Sequence, residues 1–376
     1  MSAAPRRILV AREADAAQLN AQCKNAQHIL RRWRSPDWRA GIFGFAQPDE
    51  GIAGNPNVDI IRLPSHGLWP FVLAAAYSRG FDGIFYPGLH DWADWAGLKI
   101  RAAMGRRVPV ISTIESLVCA AGDAETEERL SALAGHRVYC GTMPAGALRR
   151  LDEILAMADH IIAISPFLAR MGRALYGDKV STLPLGVDLD LFGGRAFGRR
   201  KRPRIVGAGT VYPRKRPEVF VTLAEKFPDA DFVWYGEGDL RKGLSDERAR
   251  RELANLDFPG ALPPERLAEE MSKSDILLLP SFAEGAPKVT QEAAAAGLAQ
   301  IVFGFYEAPT VIDGHNGFVV WSDAELSDRL SQLLRDPDLV ERMGRAGQAM
   351  AQGWSWREVA PQWERRIIDA CAAGIR

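Results

Sequence analysis

The chain reads as an α/β protein built from two doubly wound, Rossmann-like domains facing a central cleft. Three observations predict this. Short apolar runs alternate with helix-period segments, the pattern of parallel sheets with crossover helices. At 376 residues the chain exceeds one ordinary core. The pattern also restarts at Arg204-Ile205-Val206-Gly207-Ala208-Gly209, after the glycine-rich basic stretch 193–203.

In the first half, strands are expected at 8–11, 41–45, 58–63, 83–86, 108–112, 160–164 and 180–184. Between the first two, Leu19, Cys23, Ala26, Leu30 and Trp33 recur at intervals of three and four, marking a helix with one buried face. The stretch 68–77 is the most apolar and reads as a buried core helix, with contact to a membrane surface as the alternative. Arg31, Arg32 and Arg34 read as a solvated helix end rather than a site for anionic headgroups. The basic run 193–203 reads as a solvated inter-domain linker. In the second half, strands are expected at 205–207, 232–235, 276–279, 299–303 and 318–320. The domains are thus 1–192, joined by a C-terminal helix 357–376, and 193–356.

Composition narrows the function. Lys+Arg and Asp+Glu both total 47, so the formal charge is zero and gives no support for bulk nucleic-acid binding. Four scattered cysteines, Cys23, Cys119, Cys140 and Cys371, lack metal-ligand spacing and imply free thiols in a reducing, cytoplasmic compartment. Asp188 with Asp190 and Asp229 with Asp231 read as structural pairs, so no metal is expected. Gly207-Ala208-Gly209 lacks the third glycine of a dinucleotide fingerprint, because Tyr212 stands there.

The most informative segment is Ser281-Phe282-Ala283-Glu284-Gly285-Ala286-Pro287-Lys288-Val289-Thr290-Gln291-Glu292. It follows a fully apolar strand and runs into an alanine-rich helix, the place where open α/β sheets bind ligands and helix amides hold phosphate. Fully helical, the eight steps from Glu284 to Glu292 would rise roughly 12 Å. That suits a ligand with hydroxyls at both ends and phosphate between. Glu292 would grip a ribose diol, Glu284 a sugar diol, and the backbone along Gly285, Ala286, Pro287, Lys288 and Val289, with an N–H donor at each but the proline, the remainder. The competing reading is two solvated acids near a helix start.

This Glu-x7-Glu segment resembles the signature of family 4 retaining glycosyltransferases with the GT-B fold. Other segments agree in order. Ala158-Asp159-His160-Ile161-Ile162-Ala163-Ile164-Ser165, Leu185-Gly186-Val187-Asp188 with Phe192, Tyr235-Gly236-Glu237-Gly238-Asp239-Leu240, Asp313-Gly314-His315-Asn316-Gly317-Phe318 and Trp354-Ser355-Trp356 with Val359 and Trp363 are all similar to family motifs. The match is dense from about residue 155 onward and thin before it.

The resemblance implies transfer of a sugar from a UDP- or GDP-sugar to a glycan or glycolipid acceptor hydroxyl with retention, no cofactor beyond the donor, and work at the inner face of a membrane. It implies that Lys215, beyond Gly209, faces the diphosphate, and that Gly236, Glu237 and Leu262 frame the base. In the family an Arg five places before the Lys shares this task. Here Thr210 occupies that place, with Arg214 or Arg216 as substitutes. Glu115 stands where the family often has a His at the reaction centre. Apart from the resemblance, His90, Asp91 and Trp92 at the end of a strand read as an acceptor wall, with a structural role for His90 as the equal alternative. The departures at Thr210 and Glu115 support a second reading, a catalytically silent nucleotide-sugar-binding partner subunit.

Overall fold

The computed structural model describes residues 4–17, 21–63, 80–88, 92–103, 108–120, 123–193, 197–198 and 200–374. His90, Asp91 and the apolar stretch 68–77 lie outside the described residues. The chain divides into two compact units. The first comprises Met1–Thr126, Thr142–Gly186 and Trp356–Arg376; the second comprises Glu127–Gly141 and Val187–Ser355.

In the first unit, β1 (Arg6–Glu13), β2 (Trp38–Gly44), β3 (Val58–Arg62), β4 (Gly83–Tyr86), β5 (Val110–Ile114), β8 (His160–Ala163) and β9 (Val180–Thr182) form one sheet in the order β3-β2-β1-β4-β5-β8-β9. Every pairing is parallel. The short strands β6 (Val118–Ala120) and β7 (Gly141–Met143) pair separately. The C-terminal helix Trp356–Gly374 belongs to this unit. Trp356 stacks on His28 at 4.9 Å, and Glu364 accepts hydrogen bonds from the backbone N–H of Arg34 (3.0 Å) and Ser35 (2.5 Å).

The second sheet contains β10 (Arg204–Ala208), β11 (Asp231–Tyr235), β12 (Leu256–Gly260), β13 (Ile276–Leu279), β14 (Ala299–Phe303) and β15 (Gly317–Val320), in the order β12-β11-β10-β13-β14-β15. All its pairings are parallel. All four residues of β13 are fully buried, which explains its unbroken Ile-Leu-Leu-Leu run. The strand order reverses at β10, between β11 and β13. Loops leaving the carboxyl ends of β10 and β13 therefore diverge around a crevice, the topological switch point.

Several expectations are corrected. The division falls at Gly186/Val187 rather than 192/193, because Leu189–Phe192 forms a short helix, capped by Asp188, whose Phe192 is buried in the second unit. Residues Glu127–Gly141 also group with that unit, where Tyr139 stacks on Phe282 at 4.7 Å. Of the run 193–203, the described residues 200–202 are exposed, as expected of a solvated stretch, but Phe197, Arg200 and Arg202 also have partners in the second unit. Arg345 lies 4.3 Å over the Phe197 ring, Arg200 ion-pairs with Asp275 at 3.4 Å, and Arg202 pairs with Asp231 at 3.0 Å. Arg31 is likewise engaged, by Asp49. Cys119 and Cys140 are disulfide-bonded, whereas Cys23 and Cys371 are free and buried. The expectation of four free thiols missed this because the short β6–β7 pairing beside both cysteines has no periodic signal. Strand β12 was also missed: it is an edge strand carrying exposed Asp257 and Pro259, composition that only an edge tolerates. Among the described residues, no helix is long and apolar enough to cross a membrane.

Candidate functional site

At the switch point of the second sheet, the loop after β10 meets the loop after β13. Phe282 N–H donates to the Arg214 carbonyl at 3.1 Å and joins the two. A 3-10 turn, Pro213–Lys215, then aims two cations at one carboxylate. Lys215 Nζ lies 2.6 Å from Glu284 Oε1, and Arg214 Nη1 lies 3.2 Å from Oε2. The Glu284 and Lys215 side chains are 8% and 13% exposed. Burial pushes the Glu284 carboxyl up, but Lys215 and then Arg214 outweigh it and hold the group below its usual range. Two cations against one carboxylate leave a surplus positive charge at the switch point.

Glycine makes this approach feasible. Gly209 has φ 138°, and a Cβ there would lie 3.0 Å from Lys215 Cδ and Cε, so the lysine stem runs over bare backbone. Gly236 packs on Gly209 so closely that a Cβ would fall 1.9 Å from the Gly209 carbonyl oxygen. The chain beyond it is tied back by Val211 N–H, which donates to the Glu237 carbonyl at 2.8 Å. Gly209, Gly236 and Glu237 are therefore gathered beside Lys215. Leu262 lines a groove with Arg204, Tyr235 and Glu270 along β11 and β12.

Residues Ser281–Pro287 are loop, and helix Lys288–Ala295 begins after Pro287, which offers no side-chain cap. The first-turn amides of this helix, with the positive end of its dipole, face the end of the sheet where the cations sit. Glu292 lies one turn in. Burial raises its carboxyl above the usual range, and Lys288 offsets this only in part. The two acids are thus shifted in opposite directions, Glu284 down and Glu292 up.

Supporting residues escaped the sequence reading. Thr290 Oγ1 shares a buried 2.6 Å hydrogen bond with Thr310 Oγ1 and donates to the Pro287 carbonyl at 2.7 Å, fixing the helix start. Thr310 is in turn held by Asn316 Nδ2, which donates to its carbonyl at 2.9 Å, so the Asp-Gly-x-Asn-Gly turn braces the start of helix Lys288–Ala295. Tyr306 is fully buried; burial first, and the Glu284 carboxylate second, keep its phenol neutral by raising its pKa well above the usual value. Only the spacing of the turn motif pointed toward any of these residues.

Of the two substitutes considered for Thr210, Arg214 reaches Glu284. Arg216 turns away and binds Asp323 at 2.6 Å. Thr210 itself is exposed. In the first unit, Glu115 follows β5 and accepts a hydrogen bond from Thr113 Oγ1 at 3.2 Å. Trp92 opens a helix and is 58% exposed.

Residues 196–350 match the family model described as "Glycosyl transferases group 1". A D-inositol 3-phosphate glycosyltransferase of Nocardia farcinica is 31% identical over 284 residues, covering 68% of this chain and 60% of the relative. An alpha-galactosylglucosyldiacylglycerol synthase of Streptococcus pneumoniae is 38% identical over 96 residues, 24% of this chain and 26% of that one. This chain therefore spans less than two thirds of the length of either relative. Among solved structures, sucrose-phosphate synthase of Thermosynechococcus elongatus superimposes with a TM-score of 0.78 at 19% identity, over 98% of this chain and 100% of the other. Anabaena HepE in complex with UDP gives 0.72 at 16% identity, over 96% and 100%. Residues 196–350 therefore carry the pattern of the group 1 glycosyl transferases, and the parallel sheets and the superpositions give the chain the GT-B fold.

Proposed function

We propose that the chain transfers a sugar from a UDP- or GDP-linked donor to a hydroxyl of a glycan or glycolipid acceptor, with retention of anomeric configuration. The observation that carries this reading is the Lys215–Glu284–Arg214 cluster at the switch point, beside an uncapped helix start that bears Glu292. A diphosphate matches the surplus positive charge and the backbone N–H groups of the loop and first helical turn at Gly285, Ala286, Lys288 and Val289. Glu292 is assigned the ribose diol and Glu284 the donor sugar. Gly236, Glu237 and Leu262 are assigned the base.

When the sugar–phosphate bond breaks, charge develops on the leaving oxygen. Lys215 stabilises that charge more than it stabilises the ground state, which accelerates the step. The leaving phosphate then takes the acceptor proton in a front-face displacement. The first unit is assigned the acceptor, with Glu115 and Trp92 as contacts. The names of the two relatives, one of an inositol phosphate glycosyltransferase and one of a glycosyldiacylglycerol synthase, favour hydroxyl acceptors of these classes.

The silent-subunit reading rested on Thr210 and Glu115. Arg214 supplies a second cation at Glu284, which favours the transferase over this reading. A screen of UDP- and GDP-sugars by thermal shift, followed by assay of released nucleotide, tests the proposal. Shift with turnover supports a transferase. A shift with neither transfer nor slow donor hydrolysis supports the silent subunit, and no shift with any donor refutes both.

A further inference from the structure

Arg216 adopts φ 55°, ψ 47°, a left-handed conformation that a residue with a Cβ rarely accepts. It follows Lys215 directly, yet its side chain leaves the cluster and is only 11% exposed. The guanidinium lies 4.1 Å from the centroid of the Phe282 ring and 5.4 Å from that of Phe303. Nη2 binds Asp323 at 2.6 Å, and Nε lies 3.8 Å from Glu218. Nη1 is buried with no hydrogen-bond acceptor, as a cation laid against aromatic faces leaves it. The turn forces consecutive side chains in different directions, Lys215 toward Glu284 and Arg216 under Phe282. Phe282 stands two residues before Glu284, and its N–H is bonded to the Arg214 carbonyl.

We propose that Arg216 is a positioning residue that fixes the distance between Lys215 and Glu284 by clamping the loop after β13 to the turn after β10, rather than a ligand of the donor phosphate. Strain at a left-handed arginine persists only when its surroundings over-determine it, and such strain collects where geometry matters for function. Here the surroundings are the ion pair with Asp323, the faces of Phe282 and Phe303, and the backbone hydrogen bond from Phe282 to the preceding turn; the last of these and the Phe282 face lie on the loop after β13. Displacing either member of the pair by about 1 Å can cost on the order of a hundred-fold in rate. The inference rests on the donor-site reading above.

Arg216→Gly relieves the backbone and removes the clamp. Binding of UDP and GDP is measured by calorimetry, and kcat is measured as sugar release from UDP-glucose and GDP-mannose. The expected result is a loss of kcat of about ten- to hundred-fold, with affinity for the bound nucleotide nearly unchanged and partial recovery in Arg216→Lys. An unchanged kcat overturns the inference. An equal loss of nucleotide affinity also overturns it, because that marks a phosphate ligand. Should Arg216→Gly fail to fold, Phe282→Leu keeps the cation and removes its platform; the same selective loss of kcat is expected, and an unchanged kcat overturns the clamp. Lys215→Ala is assayed alongside. If it loses activity while Arg216→Gly keeps it, this inference alone fails; if both keep it, the donor-site reading fails and takes the inference with it.

Discussion

Glu284 and Lys215 form a buried ion pair, Oε1 to Nζ at 2.6 Å, although 69 residues separate them. Parallel topology brings them together, since their loops leave adjacent strands at the point where strand order reverses. Lys215→Ala is expected to lower kcat by about a hundred-fold, with a smaller effect on donor affinity, because the proposed role of its charge is at the leaving oxygen. Steady-state kinetics that separate kcat from KM check this.

Glu292 is predicted to act on affinity instead. Glu292→Ala should weaken nucleotide binding about ten- to hundred-fold, the worth of one or two charged hydrogen bonds. Because burial raises its pKa, the ionised form proposed to accept from a diol is lost at a higher pH than for an ordinary carboxylate. Nucleotide affinity should therefore fall as pH drops through that raised value, and Glu292→Gln should flatten the dependence in a calorimetric pH series.

The same shifts predict opposite contributions to folding. Glu284 is depressed, so its stabilisation is present above the unfolded value of 4.5 and is lost as pH falls through the lower folded value. Glu292 is raised, so its contribution is full below 4.5 and is lost as pH rises through the higher folded value. Urea midpoints against pH should show the Glu284→Gln difference shrinking on acidification and the Glu292→Gln difference growing in favour of the variant as pH rises.

Thr290 and Thr310 share a hydroxyl bond within the core of the second unit. Thr290→Val leaves Thr310 without that partner and should cost about 1–3 kcal/mol. Equilibrium urea unfolding measures it, and a cost near zero would mean that the pair does not brace the helix start.

Thiol titration checks the cysteine assignment. The denatured, unreduced protein should show two reactive thiols, Cys23 and Cys371, and two more after reduction. Four thiols before reduction would contradict the bonded pair.

Much of the second sheet was legible because parallel strands buried on both faces are continuous apolar runs: 276–279 and 299–303 coincide with β13 and β14. Glu284 and Glu292 were legible as a spacing between a strand and a helix. What the sequence hid was three-dimensional. Nothing in Pro213-Arg214-Lys215-Arg216 tells which arginine turns inward, since that depends on the left-handed backbone at Arg216 and on Phe282, distant in sequence. The partners of Arg200 and Arg202 were hidden for a related reason: Asp275 and Asp231 are distant in sequence. Strand β12 carries Pro259 and reads as a turn unless it is known to be an edge.

The most direct measurement is a calorimetric titration of UDP and GDP into the wild type, Glu292→Ala and Lys215→Ala. The account predicts saturable binding of one nucleotide by the wild type, a loss of about ten- to hundred-fold in Glu292→Ala, and a smaller loss in Lys215→Ala. Wild-type protein that binds neither nucleotide, or variants that bind as tightly as it does, would contradict it.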